Sequence, residues 1–148
     1  MMLKWYQAAA RETAVYPERY RIAYPCLGLV GEIGEFLAAR GHGDEVMREA
    51  GDVSWYCANL CSDLGKELRV GVSQVPARSL SQLGQLLAER TKKILRDGDG
   101  GAEDVVGLVG EVMAVIAELG LAAVLEGNIR KLRDRQARGV LGGSGDHR

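Results

Sequence analysis

The chain contains few of the residues from which zinc and redox sites are built. Its 148 residues include two histidines and three cysteines. None of the cysteines, Cys26, Cys57 and Cys61, lies in a Cys-x-x-Cys pair or close to a histidine. Structural zinc sites have four thiolate or imidazole ligands, so two thiols spaced four residues apart make a poor zinc site. We therefore expect all three cysteines to be reduced and buried.

Long apolar runs and an excess of one charge are also missing. No stretch approaches the ~20 consecutive apolar residues of a membrane-spanning helix, and the first sixteen residues lack the apolar region of a secretory signal peptide. The 19 basic and 20 acidic residues are mixed along most of the chain and give a net charge of -1, unlike the basic surface of a nucleic-acid-binding protein. We expect a cytoplasmic protein that binds neither nucleic acid nor membranes.

Aromatic residues make up only 5% of the chain, whereas 47% of it is hydrophobic, so the core must consist mainly of Leu, Val, Ile and Ala. The apolar residues recur at helical spacing, and the length fits one domain. The sequence therefore predicts an all-α fold, a helical bundle of about five to six helices, with residues 1–138 as a single domain and residues 139–148 as a Gly-rich tail. The predicted helices cover residues 3–16, 26–40, 45–64, 80–96, 102–119 and 121–138.

Particular residues predict where these helices begin and end. Asp44 follows a break at residues 41–43 and is a suitable N-cap for the third helix. Ser79 is a suitable N-cap for the fourth helix. The glycine-rich stretch 97–101 is predicted to be a flexible loop, and residues 69–78 are predicted to form a linker.

Two nine-residue stretches of the sequence resemble one another. GLVGEIGEF at 28–36 is echoed by GLVGEVMAV at 107–115. A duplicated helical hairpin would explain the echo, and so would a chance match between two helices rich in Val, Gly and Glu. The second copy keeps a glutamate, Glu111, but has Ala114 at the position of the second acid, so only the first copy carries a pair.

Four acidic residues lie where a buried helix face is expected. Glu32 and Glu35 are three residues apart in the second predicted helix, and Glu49 and Asp52 are three apart in the third. In a helical hairpin that turns at His42, Glu35 is level with Glu49 and Glu32 with Asp52, and the two pairs are about 4–5 Å apart along the helix axes. Residues three apart share a helix face, so all four carboxylates converge if the two faces meet.

Four converging carboxylates repel one another unless a cation neutralises them. An all-oxygen site without histidine or cysteine is typical of Mg²⁺, with Mn²⁺ as the alternative. Carboxylate-bridged redox bundles need Glu-x-x-His motifs, and this chain has none, which disfavours a redox protein. The other interpretation is a solvated helix face whose acids pair with lysines.

Several motifs occur in an order that is typical of one protein family. GLVGEIGEF and EAGDVSWY give an ExxE motif followed by an ExxD motif on consecutive helices, and NIRKLRDR at 128–135 and RGVLGGSGDHR at 138–148 follow. In these residues the sequence resembles the MazG-like nucleotide pyrophosphohydrolases of the all-α NTP pyrophosphatase superfamily. The resemblance covers most of the chain and is weakest over residues 66–80.

The resemblance implies a MazG-like four-helix core and a homodimer or homotetramer. It also implies hydrolysis of a (deoxy)nucleoside triphosphate between its α- and β-phosphates, which yields the monophosphate and pyrophosphate and cleans the nucleotide pool. Glu32, Glu35, Glu49 and Asp52 become the catalytic and metal-binding residues of one active site per chain. Either Glu35 or Glu49 is expected to accept the proton of the attacking water.

A triphosphate carries more negative charge than the bound metal ions neutralise, so further polar and cationic groups are expected around it. The candidate substrate-binding residues are Lys92, Lys93, Asn128, Lys131 and Arg135. For the lysines and the arginine, the alternative is an ordinary solvated surface position.

The tail and the aromatic residues have two interpretations each. Asp146 and Arg148 either close over a bound nucleotide or belong to a frayed terminus. Trp5, Trp55 and Tyr56 either stack on a base or pack in the core.

A function from a different class also fits the sequence. It is a non-catalytic helical module that binds a nucleotide or a metal ion without turnover. Metal-dependent release of pyrophosphate separates the two functions. The preferred base and sugar are not predicted.

Overall fold

The computed structural model describes residues 1–72 and 75–141, apart from the side chain of residue 99. This part of the chain contains helices and no strands, so the predicted all-α bundle of about five to six helices is confirmed. The predicted tail contacts of Asp146 and Arg148 lie outside the described residues. The six α-helices are α1 (Met2–Glu12), α2 (Ala23–Ala39), α3 (Gly43–Asp63), α4 (Leu80–Asp97), α5 (Ala102–Ala117) and α6 (Leu121–Ala137).

Helix α3 is the central element of the bundle. It packs against α2 and α5, and α4 packs against both of these helices, so the four form a closed ring. Helices α1 and α6 pack on α3 outside this ring and contact each other. The core between them is mostly aliphatic, as predicted. Its fully buried side chains include Leu29, Val53, Leu60, Leu83, Leu87, Val109, Val112 and Ile116.

Of the two predicted helix caps, one is present and one is not. The Ser79 hydroxyl accepts a hydrogen bond from the Gln82 backbone N–H, and the Gln82 side chain accepts one from the Ser79 N–H, which is a complete capping box. The prediction for Asp44 is wrong, because α3 begins at Gly43, two residues before its predicted start, and Asp44 lies in its first turn. An acid there interacts favourably with the helix dipole without capping. Residues 97–101 include a short 3₁₀-helix, Asp99–Gly101, that packs on α4.

The connection between α1 and α2 is held by one buried acid, Asp63, at the end of α3. Its Oδ2 atom accepts hydrogen bonds from the Tyr16 hydroxyl and the Ile22 backbone N–H, both at 2.8 Å. Its Oδ1 atom lies 2.7 Å from Arg11 Nη1. Ile22 has a φ of 69°, which is unfavourable for a β-branched residue. Asp63 therefore holds a strained backbone position that begins α2, and we call these contacts the Asp63 clamp.

The echoed stretches do not form equivalent hairpins. The first copy lies in α2, which packs along α3, whereas the second lies in α5, which meets α6 at a bend of 99°. Glu111 of the second copy faces Arg78 at 3.3 Å rather than another acid. The structure therefore gives no support to a duplicated hairpin. Among the described residues, no single helix has both the length and the apolar character required to cross a membrane.

Candidate metal centre

Three of the four predicted acids converge between α2 and α3. Glu32, Glu49 and Asp52 each present a carboxylate oxygen, and these oxygens lie within 4.8 Å of one another. Glu49 is 4% exposed, and the other two side chains are partly buried. The three carboxylates are close because α2 and α3 pack along each other on either side of a short turn at residues 40–42. We call them the carboxylate cluster.

Glu35 is exposed and lies outside this cluster. The reason is its rotational position on α2. At 100° per residue, Glu32 is about 50° from the centre of the buried stripe and Glu35 is about 110° from it. Glu35 is nevertheless near enough for its charge to raise the pKa of Glu32. Its assignment as a metal ligand stays a prediction. The buried stripe of α2 consists of Pro25, Cys26, Leu29, Ile33, Phe36 and Ala39.

The electrostatics of the cluster favour a proton on Glu32. Burial, the charge of Asp52, a hydrogen bond with Glu49 and the charges of Glu35 and Glu49 together raise the pKa of Glu32 to about 9, from an ordinary value of 4.5. Without a cation, the cluster therefore reduces its own repulsion by keeping one carboxyl group neutral at pH 7.

The cluster fits a hard divalent cation. It offers only carboxylate oxygens, which are the ligands that Mg²⁺ and Mn²⁺ prefer. The Oε2 atom of Glu32 is buried and has no hydrogen-bond partner within the described residues. A buried polar atom without a partner is costly, and a bound cation would remove that cost together with the repulsion. Three protein carboxylates leave the remaining coordination positions for water and a substrate.

Two residues of α6 extend the site. Lys131 Nζ lies 2.5 Å from Asp52 Oδ1, and both side chains are largely buried. Asn128 is 4% exposed, and its Oδ1 atom accepts a hydrogen bond from the Tyr6 hydroxyl at 2.7 Å. Neither position is a solvated surface. Arg135, one turn beyond Lys131, is also buried, at 5% exposure.

The other two predicted substrate-binding residues lie on α4 and are exposed. Neither Lys92 nor Lys93 forms a salt bridge with any residue that the structure describes. Lys93 lines a cavity of about 290 Å³ at the C-terminal end of α4, together with Arg90 and Asp97. That cavity shares no residue with the carboxylate cluster. Their role in substrate binding stays a prediction.

The aromatic residues divide into packing and site-facing positions. Trp55 donates a hydrogen bond to the Thr13 hydroxyl and belongs to the packing of α1 on α3. The Tyr56 ring lies directly against Gly28, where any side chain would collide with it, since an added Cβ would be 2.1 Å from the ring. The charges of Glu32 and Asp52 contribute to the raised pKa of Tyr56, after burial and the influence of Tyr24. Tyr56 therefore lies beside the cluster.

Three residues near the site were not predicted from the sequence. They are Tyr6, Arg48 and Gly51. Tyr6 is completely buried and fixes Asn128. An added Cβ on Gly51 would lie 3.0 Å from the Cβ of Asn128, so glycine allows α3 and α6 to approach closely. The glycine in EAGD could have indicated this contact, whereas nothing in the sequence distinguishes Arg48 from a surface arginine.

We expect the stability of the metal-free protein to fall as pH rises. The pKa of Glu32 is raised from 4.5 to about 9 in the folded state, so the stabilising contribution of its proton is complete below pH 4.5 and is lost towards pH 9. We expect the thermal midpoint in chelator to fall by about 4 °C or more over this range. Differential scanning calorimetry of the wild type and Glu32→Gln measures the contribution, because the variant cannot titrate there.

Mg²⁺ should reverse this loss at alkaline pH, since it binds only the folded cluster. A midpoint that responds neither to Mg²⁺ nor to the Glu32→Gln substitution would instead indicate a solvated acidic face.

Comparison with known proteins shows that the chain is similar in sequence to a phage protein. No family model matches the chain, and no solved structure matches it. The Gene 37 protein of Mycobacterium phage L5 is 37% identical to it in an alignment of 89 residues, and the match covers 53% of this chain and 77% of the phage protein. The name of that protein states no activity. With this identity over more than three quarters of the relative, the chain belongs to the same family as the Gene 37 protein of Mycobacterium phage L5.

Proposed function

We propose that the protein is a Mg²⁺-dependent nucleoside triphosphate pyrophosphohydrolase. The observation that carries this proposal is the carboxylate cluster, in which three acids from two helices hold their oxygens within 4.8 Å of one another. The MazG-like motifs of the sequence support the same reaction. A solvated acidic surface does not account for a group in which one glutamate, Glu49, is only 4% exposed.

In the proposed reaction, the oxygen of a water molecule bonds to the α-phosphorus of a (deoxy)nucleoside triphosphate. The bond between the α-phosphorus and the bridging oxygen breaks, and pyrophosphate leaves. The water's proton passes to a carboxylate, for which Glu49 and Glu35 are the candidates. When bound at the cluster, Mg²⁺ supplies charge neutralisation for the triphosphate and lowers the pKa of water.

The surrounding residues position the substrate in this proposal. Lys131 contacts Asp52 and adds a positive charge beside the acids, which favours the approach of a polyanion. Asn128 has a free amide nitrogen for a phosphoryl or sugar oxygen. Tyr56 offers an aromatic surface next to the cluster for the base.

A product assay tests the function directly. The purified protein is incubated with canonical and modified NTPs and dNTPs, in Mg²⁺ or in chelator, and the products are separated by chromatography. We expect monophosphate and pyrophosphate, and no turnover in chelator. Diphosphate and phosphate would contradict the assigned reaction. Mg²⁺ binding without turnover would favour the non-catalytic nucleotide- or metal-binding module.

The proposal includes a cellular setting and an assembly. Cleaning of a cytoplasmic nucleotide pool is the role that the MazG resemblance suggests. The homodimer or homotetramer is part of the same proposal, and exposed apolar side chains such as Leu27 and Tyr24 of α2 are available for such a contact.

A further inference from the structure

A cavity of about 160 Å³ lies between α3 and α6, next to the carboxylate cluster. We call it the α3/α6 cavity. It has room for several water molecules, and therefore for a phosphoryl group. Its lining includes Arg48 and Gly51 of α3 and Val124, Gly127, Asn128 and Lys131 of α6.

Two hydrogen-bond donors in this lining have no acceptor within the part of the chain that the structure describes. Asn128 is 4% exposed, and its Nδ2 atom has no hydrogen-bond partner among the described residues. The Nε atom of Arg48 is likewise buried and without a partner there, and Arg48 forms no salt bridge with the described residues. Leaving a buried donor unsatisfied is costly, and more so for a charged one. Both donors therefore require a ligand that accepts hydrogen bonds.

Contacts with neighbouring residues hold the Asn128 side chain in one orientation. Its Oδ1 atom is engaged by the Tyr6 hydroxyl at 2.7 Å. Its Nδ2 atom lies 3.1 Å from the place that a Cβ on Gly51 would occupy, and Gly51 also lines the cavity. The donor is thus held over the part of α3 that has no side chain, at the wall of the cavity.

The charge of the lining selects an anion. Arg48 and Lys131 are cationic, and none of the described residues that line the cavity is a carboxylate. Lys131 also reaches out of the cavity to Asp52 of the cluster. An anion with several oxygens matches this set of donors, because a guanidinium binds phosphoryl oxygens strongly and with defined geometry.

We propose that the α3/α6 cavity binds the diphosphoryl end of the substrate, which leaves as pyrophosphate, through Arg48 Nε–H and Asn128 Nδ2–H. That the anion is part of a nucleotide rests on the proposed function. Arg48 precedes Asp52 by one helical turn, about 6 Å along the axis. A triphosphate whose α-phosphorus lies at the carboxylate cluster therefore extends past Lys131 into the cavity.

The test is binding of inorganic pyrophosphate to the 148-residue protein in chelator, measured by isothermal titration calorimetry. Arg48→Met keeps the aliphatic stem and removes the donors and the charge, and we expect it to weaken binding at least tenfold. Arg133→Met is the matched control, because Arg133 is an exposed arginine of α6 that does not line the α3/α6 cavity. We expect the control to bind within twofold of the wild type. Circular dichroism monitors the folding of both variants.

A second variant tests the cavity without removing the arginine. Gly51→Ala places a methyl group 3.1 Å from Asn128 Nδ2, and we expect it to weaken pyrophosphate binding severalfold. Unchanged binding in both Arg48→Met and Gly51→Ala would overturn the inference. Equal affinity for inorganic phosphate and pyrophosphate would overturn the assignment to a diphosphoryl group.

Failure of the proposed anion site and failure of the proposed function give different results. If no nucleotide is hydrolysed but Arg48→Met loses pyrophosphate binding, the anion site stands and the proposed reaction fails. If nucleotides are hydrolysed and Arg48→Met binds pyrophosphate normally, the inference about the cavity fails alone.

Discussion

Replacing Glu32 by Gln is expected to lower kcat for pyrophosphate release at least about a hundredfold while the metal-free protein stays folded. The pKa of Glu32 is raised to about 9 by burial and by its acidic neighbours, so the group is neutral at pH 7 when no cation is bound. Glutamine has the same shape as that neutral form and retains a donor for Glu49. It does not supply the negative charge that a divalent cation requires.

The measurements are kcat from released pyrophosphate and the thermal midpoint with and without Mg²⁺. Glu126→Gln is a matched control, because Glu126 is exposed on α6, and we expect its kcat to stay within twofold of the wild type. A Glu32→Gln protein that keeps more than a tenth of the wild-type kcat would exclude Glu32 from the metal centre.

Replacing Asp63 by Ala is expected to lower the free energy of unfolding by about 3 kcal/mol. The substitution removes the acceptor for the Ile22 N–H and the Tyr16 hydroxyl and deprives Arg11 of its ion-pair partner. The cost is large because Asp63 is 2% exposed and the strained φ of Ile22 loses the contact that holds it. The thermal midpoint should fall by about 6–12 °C.

Denaturant unfolding followed by circular dichroism gives the free energy for this comparison. Asp134→Ala removes an exposed carboxylate that pairs with Arg138 within α6, and such pairs contribute about 0.5 kcal/mol or less. Similar losses in Asp63→Ala and Asp134→Ala would show that the Asp63 clamp does not hold the start of α2.

The helices were predictable because their signals are local. Apolar spacing located all six, and Ser79 marked the start of α4 correctly. The convergence of Glu32 with Glu49 and Asp52 also followed from counting residues about a short turn. The number of residues from the turn gives the position of a side chain along the helix axis, because each residue adds about 1.5 Å.

The rotation of each helix about its axis was harder to predict from the sequence than the position of its residues along that axis. Glu35 was expected beside Glu49, but the packing of α2 on both α3 and α4 turns Glu35 towards solvent. The surroundings of Arg48 depend on how closely α6 crosses α3 at Gly51, a contact between residues 77 positions apart. Periodicity contains no information about such crossings.

The central position of α3 affects how the carboxylate cluster responds to its own repulsion. Helices α1, α2, α5 and α6 all cover α3, so we infer that the amide hydrogens of its buried part, from Glu49 onwards, exchange with solvent only when the whole domain opens. Glu49 and Asp52 cannot move apart by fraying of a helix end, as acids on a peripheral element would. Beyond the ion pair between Asp52 and Lys131, the repulsion is therefore relieved by a captured proton or a captured cation, and competition between these two ions sets the affinity of the site at each pH.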